Sequence, residues 1–306
     1  MIIIKDIVIL LVSIIVIGKG AVWLVDAAAR VAKHFGISEL VIGLTVVAFG
    51  TSAPEFGVTI LAAIRGMGDI SVGNIVGSNI FNLGFILGGT AIIHSLKTSR
   101  TIVFRDGFFL LFGGILLSVF LWDLTLSKIE GIVLFTLLVL YLLYLYFKKE
   151  TIETEEPTHA MYRWDPILLF VGIGLVIVGS HFLVESAVNI ARFMGVSDWV
   201  IGATIIAAGT SAPEFATSLT AAMKSRYGMS VGNLIGSDIF NLFGVLGVAG
   251  MMRNLSVGHD AHINLIILSF MIAVVLIFMR TGWVVSRKEG IILVMIGLLR
   301  WIYSFS

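Results

Sequence analysis

The chain has 306 residues, 58% of them hydrophobic and only 13% charged, with no cysteine and a formal net charge of +1. Soluble domains carry nearer a quarter charged residues, so this composition excludes an ordinary soluble protein and points to lipid. Disulfide frameworks and thiolate metal sites are excluded as well, and no basic run offers a footing for nucleic acid.

Ten stretches approach the ~20 mostly apolar residues that a helix needs to cross a bilayer. They are 7–29, 39–64, 70–93, 102–122, 129–147, 166–189, 198–222, 229–252, 261–279 and 288–304. Lipid offers no partner to an open strand edge, so each stretch is expected to be helical. The first, starting near Ile7, has the hydropathy of a signal peptide. Gly20–His34 nevertheless aligns with Gly179–Phe193, so this segment belongs to a repeat and is expected to stay in the mature protein.

The second stretch contains Gly50-Thr51-Ser52-Ala53-Pro54-Glu55-Phe56, and the seventh contains the same residues as Gly209 to Phe215. The offset of 159 residues holds without a gap from Gly20/Gly179 to Gly88/Gly247, and more than half of positions 36–82 repeat their residue. The copies begin five spans apart, an odd number, so the second must cross the membrane in the opposite direction. The predicted fold is an all-α membrane protein with ten transmembrane helices as two inverted five-helix repeats, residues 1–147 and 166–306. Helices 2 and 7 are expected to be broken at the motif. This is the plan of secondary transporters that bind their cargo at the midplane.

Segment 148–165 joins the halves and carries Glu150, Glu153, Glu155, Glu156 and Pro157. It is too short for a folded domain and reads as a solvated linker. Thirteen Lys and Arg fall in the loops that follow odd-numbered spans, against six on the other side. The positive-inside rule therefore places the linker in the cytoplasm and both termini outside a cell membrane.

The motif itself carries the chemistry. Pro54 and Pro213 have no N–H to donate, which releases the carbonyls of Gly50 and Gly209. The carbonyls of Ala48, Thr51, Ala207 and Thr210 are expected to be strained out of the helical ladder too. Glu55 stands three and four residues from Ser52 and Thr51, a spacing that shares one helix face, and Glu214 stands likewise from Ser211 and Thr210. A mid-membrane carboxylate costs about 3 kcal/mol even on a lenient scale, and a hydroxyl would glue helices at less cost. Glu55 and Glu214 therefore read as a site.

The following helix of each half adds Asn74, Ser78 and Asn82, or Asn233, Ser237 and Asn241, at steps of four that keep them on one face. Asn74 and Asn233 read equally as packing amides. The inventory is all oxygen, which suits hard cations and disfavours zinc or copper. Two bidentate glutamates could give calcium four of its roughly 6–8 oxygens and neutralise it. Gly73–Gly77, Gly84–Gly88 and Gly232–Gly236 have the spacing of close helix packing. Lys19 is expected to snorkel, Asp26 and Glu185 to serve at the surface, and the histidines show no metal-ligand spacing.

Gly-Thr-Ser-Ala-Pro-Glu followed by Gly-Ser-Asn-Ile-Phe-Asn, and in the second half by Gly-Ser-Asp-Ile-Phe-Asn, resembles the two α-repeats of the cation/calcium exchanger superfamily. The prokaryotic sodium/calcium exchangers are the branch it is most similar to. The resemblance implies electrogenic antiport, sodium entering and calcium leaving. By motif position it implies Glu55 and Glu214 as shared ligands of both ions. Thr51, Ser52, Thr210, Ser211, Ser78 and Ser237 would add hydroxyl or carbonyl oxygens, as would the carbonyls of Ala48 and Ala207, with Asn82 and Asn241 flanking the chamber. Several relatives, potassium-dependent ones among them, carry Asp where this chain has Asn241. The chamber is then expected to hold two formal negative charges and to work without potassium. Asp238, about 300° round the helix from Asn241, is not expected to substitute.

No enzyme activity, cofactor or protein partner is implied, and a monomer suffices. Calcium and sodium are cargo, and the bilayer is the surroundings. The rival readings are a proton/calcium antiporter, a passive cation channel, and an intramembrane hydrolase. The last lacks a placed histidine, cysteine or activated serine.

Overall fold

The computed structural model describes residues 2–148, 160–196, 201, 205 and 207–303. The chain is helical almost throughout. The first half runs α1 (Ile2–Phe35), α2 (Glu39–Thr51), α3 (Ala53–Ile64), α4 (Gly68–Ile93), α5 (Ile102–Asp123) and α6 (Lys128–Phe147). The second runs α7 (Asp165–Phe193), a short turn Ala207–Gly209, α8 (Ala212–Met223), α9 (Tyr227–Met252), α10 (Asp260–Arg280) and α11 (Arg287–Tyr303). Seven of these helices are long and apolar enough to cross a bilayer, and the bent pair α2–α3 makes an eighth. Two of the ten expected spans remain. At the last stands α11, whose 17 residues are not among those long enough to cross. The seventh is represented by Ala207–Gly209 and α8, since most of 197–206 lies outside the described residues, as do 149–159 of the expected linker.

Local chemistry explains where the helices start. Ser127 accepts from the Glu130 N–H at 3.3 Å while Glu130 accepts from the Ser127 N–H at 2.7 Å, a reciprocal cap that starts α6. Ser286 and Glu289 build the same cap on α11, 159 residues later. Ser38 caps α2 by accepting from the Val41 N–H at 3.2 Å.

The repeat extends beyond the segment legible in the sequence. Four two-residue strands, β1 (Leu96–Lys97), β2 (Thr125–Leu126), β3 (Leu255–Ser256) and β4 (Val284–Val285), pair across the halves as antiparallel β1–β4 and β2–β3. Each pairing maps onto the other under the 159-residue offset. So do the left-handed residues Leu124 and Trp283, while Gly36 and Gly195, and Gly66 and Ser225, match in the same way inside the aligned segment.

Helices in lipid associate through close packing rather than through a hydrophobic drive, so small residues mark the tight seams. A Cβ on Gly20 would lie 2.8 Å from Leu175 Cβ, and one on Gly172 2.8 Å from Leu24 N, which locks α1 along α7. Arg30 of α1 closes that pair with a two-pronged bond to Asp165, at 2.7 and 2.9 Å. In the seam between α2 and α9, a Cβ on Gly236 would meet Leu44 Cα at 2.6 Å and one on Gly43 would meet Met229 O at 2.8 Å. Gly88 packs likewise on α11, where a Cβ would lie 2.8 Å from Gly290 O, and one on Gly84 would meet Met271 Cε of α10 at 2.6 Å. Gly73 and Gly77 do not: among the described residues no atom comes within 4 Å of a Cβ built there, so the expectation of close packing fails for this pair. Phe109 stacks between Tyr141 and Phe243, with centroids 4.6 and 4.4 Å away, and anchors α5, α6 and α9 together.

Candidate cation site

Helix α2 stops at Thr51 and α3 starts at Ala53, with a bend of 52° between them. Ser52 sits at the break with ψ near 8°, and Pro54 occupies the first turn of α3, where its missing N–H costs nothing. Glu55 therefore lies in the first turn of a half-helix, at the positive end of its dipole. Glu214 occupies the same position in α8, behind Ser211 and Pro213. Both glutamates are fully buried, at 1% and 0% exposure.

The two halves hold each other's glutamate. Ser52 Oγ donates to Glu214 Oε1 at 3.1 Å, and Ser211 Oγ donates to Glu55 Oε1 at 3.1 Å. Thr51 faces Glu214 and Thr210 faces Glu55 in the same crossed manner. The hydroxyls of each motif thus bond the glutamate of the other half. The remaining oxygens, Glu55 Oε2 and Glu214 Oε2, are buried with no hydrogen-bond partner.

The next helices brace the break. Asn74 Nδ2 donates to the Glu55 carbonyl at 3.3 Å and to Thr59 Oγ1 at 2.9 Å. Asn233 Nδ2 donates to the Glu214 carbonyl at 3.5 Å and to Ser218 Oγ at 2.9 Å. These amides are occupied in fixing the backbone behind each glutamate. Thr51 Oγ1 links the halves again, 3.2 Å from Asn233 Oδ1 and 3.5 Å from Ser237 Oγ.

One expected ligand changes character. The Ala48 carbonyl stays in the ladder, accepting from the Ser52 N–H at 3.0 Å and from Thr51 Oγ1 at 3.3 Å, because the chain breaks after Ser52 rather than before it. Ala207 opens the short turn before the second break. Ser78, Ser237, Asn82 and Asn241 are all buried.

Sequence reasoning passed over Asn79, Asp238, Thr59 and Ser218. Asp238 is wholly buried and accepts from Asn82 Nδ2 at 2.9 Å, while Asn79 Nδ2 donates to the Asp238 carbonyl at 3.0 Å and its Oδ1 accepts from Asn241 Nδ2 at 2.9 Å. The available signal was the one mismatch between the repeated hexapeptides, Asn79 against Asp238. Elsewhere, Lys19 is exposed, and Asp26 pairs with Lys224 at 2.6 Å while about a third exposed. Glu185 stands 4.0 Å from His181 at the surface. Among the described residues no three His, Cys, Asp or Glu side chains converge on a single metal position. The chamber is built from hydroxyls and amides around a pair of carboxylates, an inventory suited to hard cations.

Comparison with known proteins agrees with this chemistry. The family model described as sodium/calcium exchanger protein matches residues 5–147 and 164–301. The chain is 32% identical to the sodium/calcium exchanger MaX1 of Methanosarcina acetivorans, over 94% of this chain and 95% of that one. It is 34% identical to the putative antiporter CaxA of Alkalimonas amylolytica, over 93% and 94%. The structure superposes on that of the sodium-calcium exchanger NCX_Mj soaked with zero Na+ and Ca2+, with a TM-score of 0.87, 32% identity, and coverage of 99% of this chain and 100% of that one. With its paired motifs, helical architecture and near-complete coverage, this chain belongs to the sodium/calcium exchanger family of the cation/calcium exchanger superfamily.

Proposed function

We propose that the protein is an electrogenic antiporter that exchanges sodium for calcium by alternating access at one site shared between its halves. Its plan is ten spans in two inverted five-helix repeats, with the linker cytoplasmic and both termini outside. The observation that carries this reading is the crossed pair of bonds Ser52–Glu214 and Ser211–Glu55, which leaves one carboxylate oxygen of each half free and buried.

The glutamates bind calcium or sodium in turn. Thr51, Ser52, Thr210, Ser211, Ser78 and Ser237 surround the pair with further oxygens, as do the carbonyls of Ala48 and Ala207, and Asn82 and Asn241 flank it. The Ala48 carbonyl already has two donors, so it serves an ion only when one of them lets go. Coupling follows from electrostatics. Two bare carboxylates that repel each other in a low dielectric are costly to enclose, whereas a chamber filled by either cation set is not. Only loaded states cross between the two openings, so one flux drives the other. Helices α1 and α7, locked together through Gly20, Gly172 and the Arg30–Asp165 bond, form the unit that slides against the rest.

Proteoliposomes test the proposal. Calcium-45 uptake is expected to require an outward sodium gradient and to fall to background in Glu55→Gln and in Glu214→Gln. Uptake that ignores sodium and follows a pH gradient would assign the protein to proton-coupled exchange instead. Conductance far above transporter turnover would make it a channel.

A further inference from the structure

Asp238 lies one helical turn from Asn241 on α9, is wholly buried, and has a second carboxylate oxygen without a partner. A buried orphan of this kind demands an explanation, because an unpaired carboxylate oxygen is among the costliest groups to remove from water. Two more orphans accompany it: Asn82 Oδ1 and Asn241 Oδ1 are also buried without partners.

The polarity of these amides follows from Asp238. A carboxylate only accepts, so Asn82 must turn its Nδ2 toward Asp238 Oδ1, at 2.9 Å, which presents its own Oδ1 on the other side. A backbone carbonyl also only accepts, so Asn79 turns its Nδ2 toward the Asp238 carbonyl at 3.0 Å and its Oδ1 toward Asn241. Asn241 must then donate, at 2.9 Å, and its Oδ1 is left free in turn. One residue thus fixes the orientation of both flanking amides, through its side chain on one branch and its backbone on the other. The three oxygens left over are all acceptors, and no donor is aimed at them.

We infer that Asp238 Oδ2, Asn82 Oδ1 and Asn241 Oδ1 form a second cation position beside the glutamate pair, and that it takes a monovalent ion, sodium. This rests on the exchange reading above and deepens it. One carboxylate with two neutral amides balances a single positive charge, and a divalent ion there would leave a buried net charge uncompensated. Asp238 and Glu214 are close enough for their charges to interact, so an ion at either carboxylate eases the charge at the other. The chamber then carries three formal negative charges, in place of the two read from the glutamates alone. Calcium exchanged for two sodium ions moves no net charge. A sodium ion held at Asp238 beyond that pair makes the exchange move charge.

Sodium-22 and calcium-45 binding to the purified full-length protein separates the two sites. Asp238→Asn is expected to bind one sodium ion fewer at saturation and to need about tenfold more sodium to displace calcium-45, a change of ~1.4 kcal/mol. Calcium-45 binding without sodium is expected to persist in this variant, changed only through the charge that Asp238 shares with Glu214. Glu55→Gln is expected to lose calcium-45 binding, and if it does not, the exchange site itself is misassigned. The double variant Asn79→Asp/Asp238→Asn moves the carboxylate to the position related by the repeat, beside Asn241, and is expected to recover the lost sodium ion. Unchanged sodium-22 stoichiometry in Asp238→Asn would overturn the inference. So would a double variant that folds as a monodisperse protein yet binds no more sodium than the single one.

Discussion

Ser52 and Ser211 each stand beside one glutamate in the sequence and hold the carboxylate of the other half, 3.1 Å away. A hydrogen bond to a charged group is worth about 1.5–3 kcal/mol. Ser52→Ala and Ser211→Ala are therefore each expected to weaken calcium-45 binding by roughly ten- to hundredfold, with similar effects because the two contacts are equivalent. Threonine at either position keeps the hydroxyl and is expected to retain most of the affinity. The two glutamates were legible from the sequence because a carboxylate in hydrocarbon has few structural excuses. The crossing was not legible. Spacing along one helix puts Thr51, Ser52 and Glu55 on one face, but it carries no information about which residues of the other half lie against that face. The Ala48 carbonyl keeps its place in the ladder because its partner, the Ser52 N–H, comes just before the turn in the chain at the ψ of Ser52. Asp238 was set aside on an angular argument within its own helix, whereas its contacts come from α4 of the other half.

At the scale of elements, glycine decides which helices approach. The GxxxG spacing occurs at Gly73–Gly77 and Gly84–Gly88 on α4 and at Gly232–Gly236 on α9, but only the last two meet a neighbour tightly. Packing an extra methyl into a closed seam costs about 1–3 kcal/mol. Gly236→Ala and Gly43→Ala are accordingly expected to lower the thermal unfolding midpoint in detergent, while Gly73→Ala leaves it unchanged. Equal shifts at Gly73 and Gly236 would mean that both glycine faces are packed in solution. The spacing was legible and its use was not, because a pattern on one helix carries no information about whether a partner lies against it. The broken helix was legible almost to the residue, since proline has only a few tolerated places in a helix and its first turn is one of them.

At the scale of the molecule, the second half repeats the first in more than its motif. Capping boxes, strand pairings and the left-handed Leu124 and Trp283 recur at 159 residues, beyond the stretch 20–88 in which the repeat aligns. Backbone geometry and caps tolerate many side chains, which is why this part of the repeat was hidden. Several cross-half contacts come in reciprocal pairs: β1 to β4 and β2 to β3, Ser52 to Glu214 and Ser211 to Glu55. None of these pairs uses the segment 148–165, from which only Asp165, at the start of α7, reaches across to Arg30 among the contacts described above. Residues 1–147 and 165–306 made as separate polypeptides are therefore expected to assemble into one protein. A tag on either half should co-purify the other, and the pair should bind calcium-45 while neither half alone does. The peptide link between them is then a matter of delivery rather than of architecture. A transporter of this shape is a dimer of half-length chains that happens to be written as one.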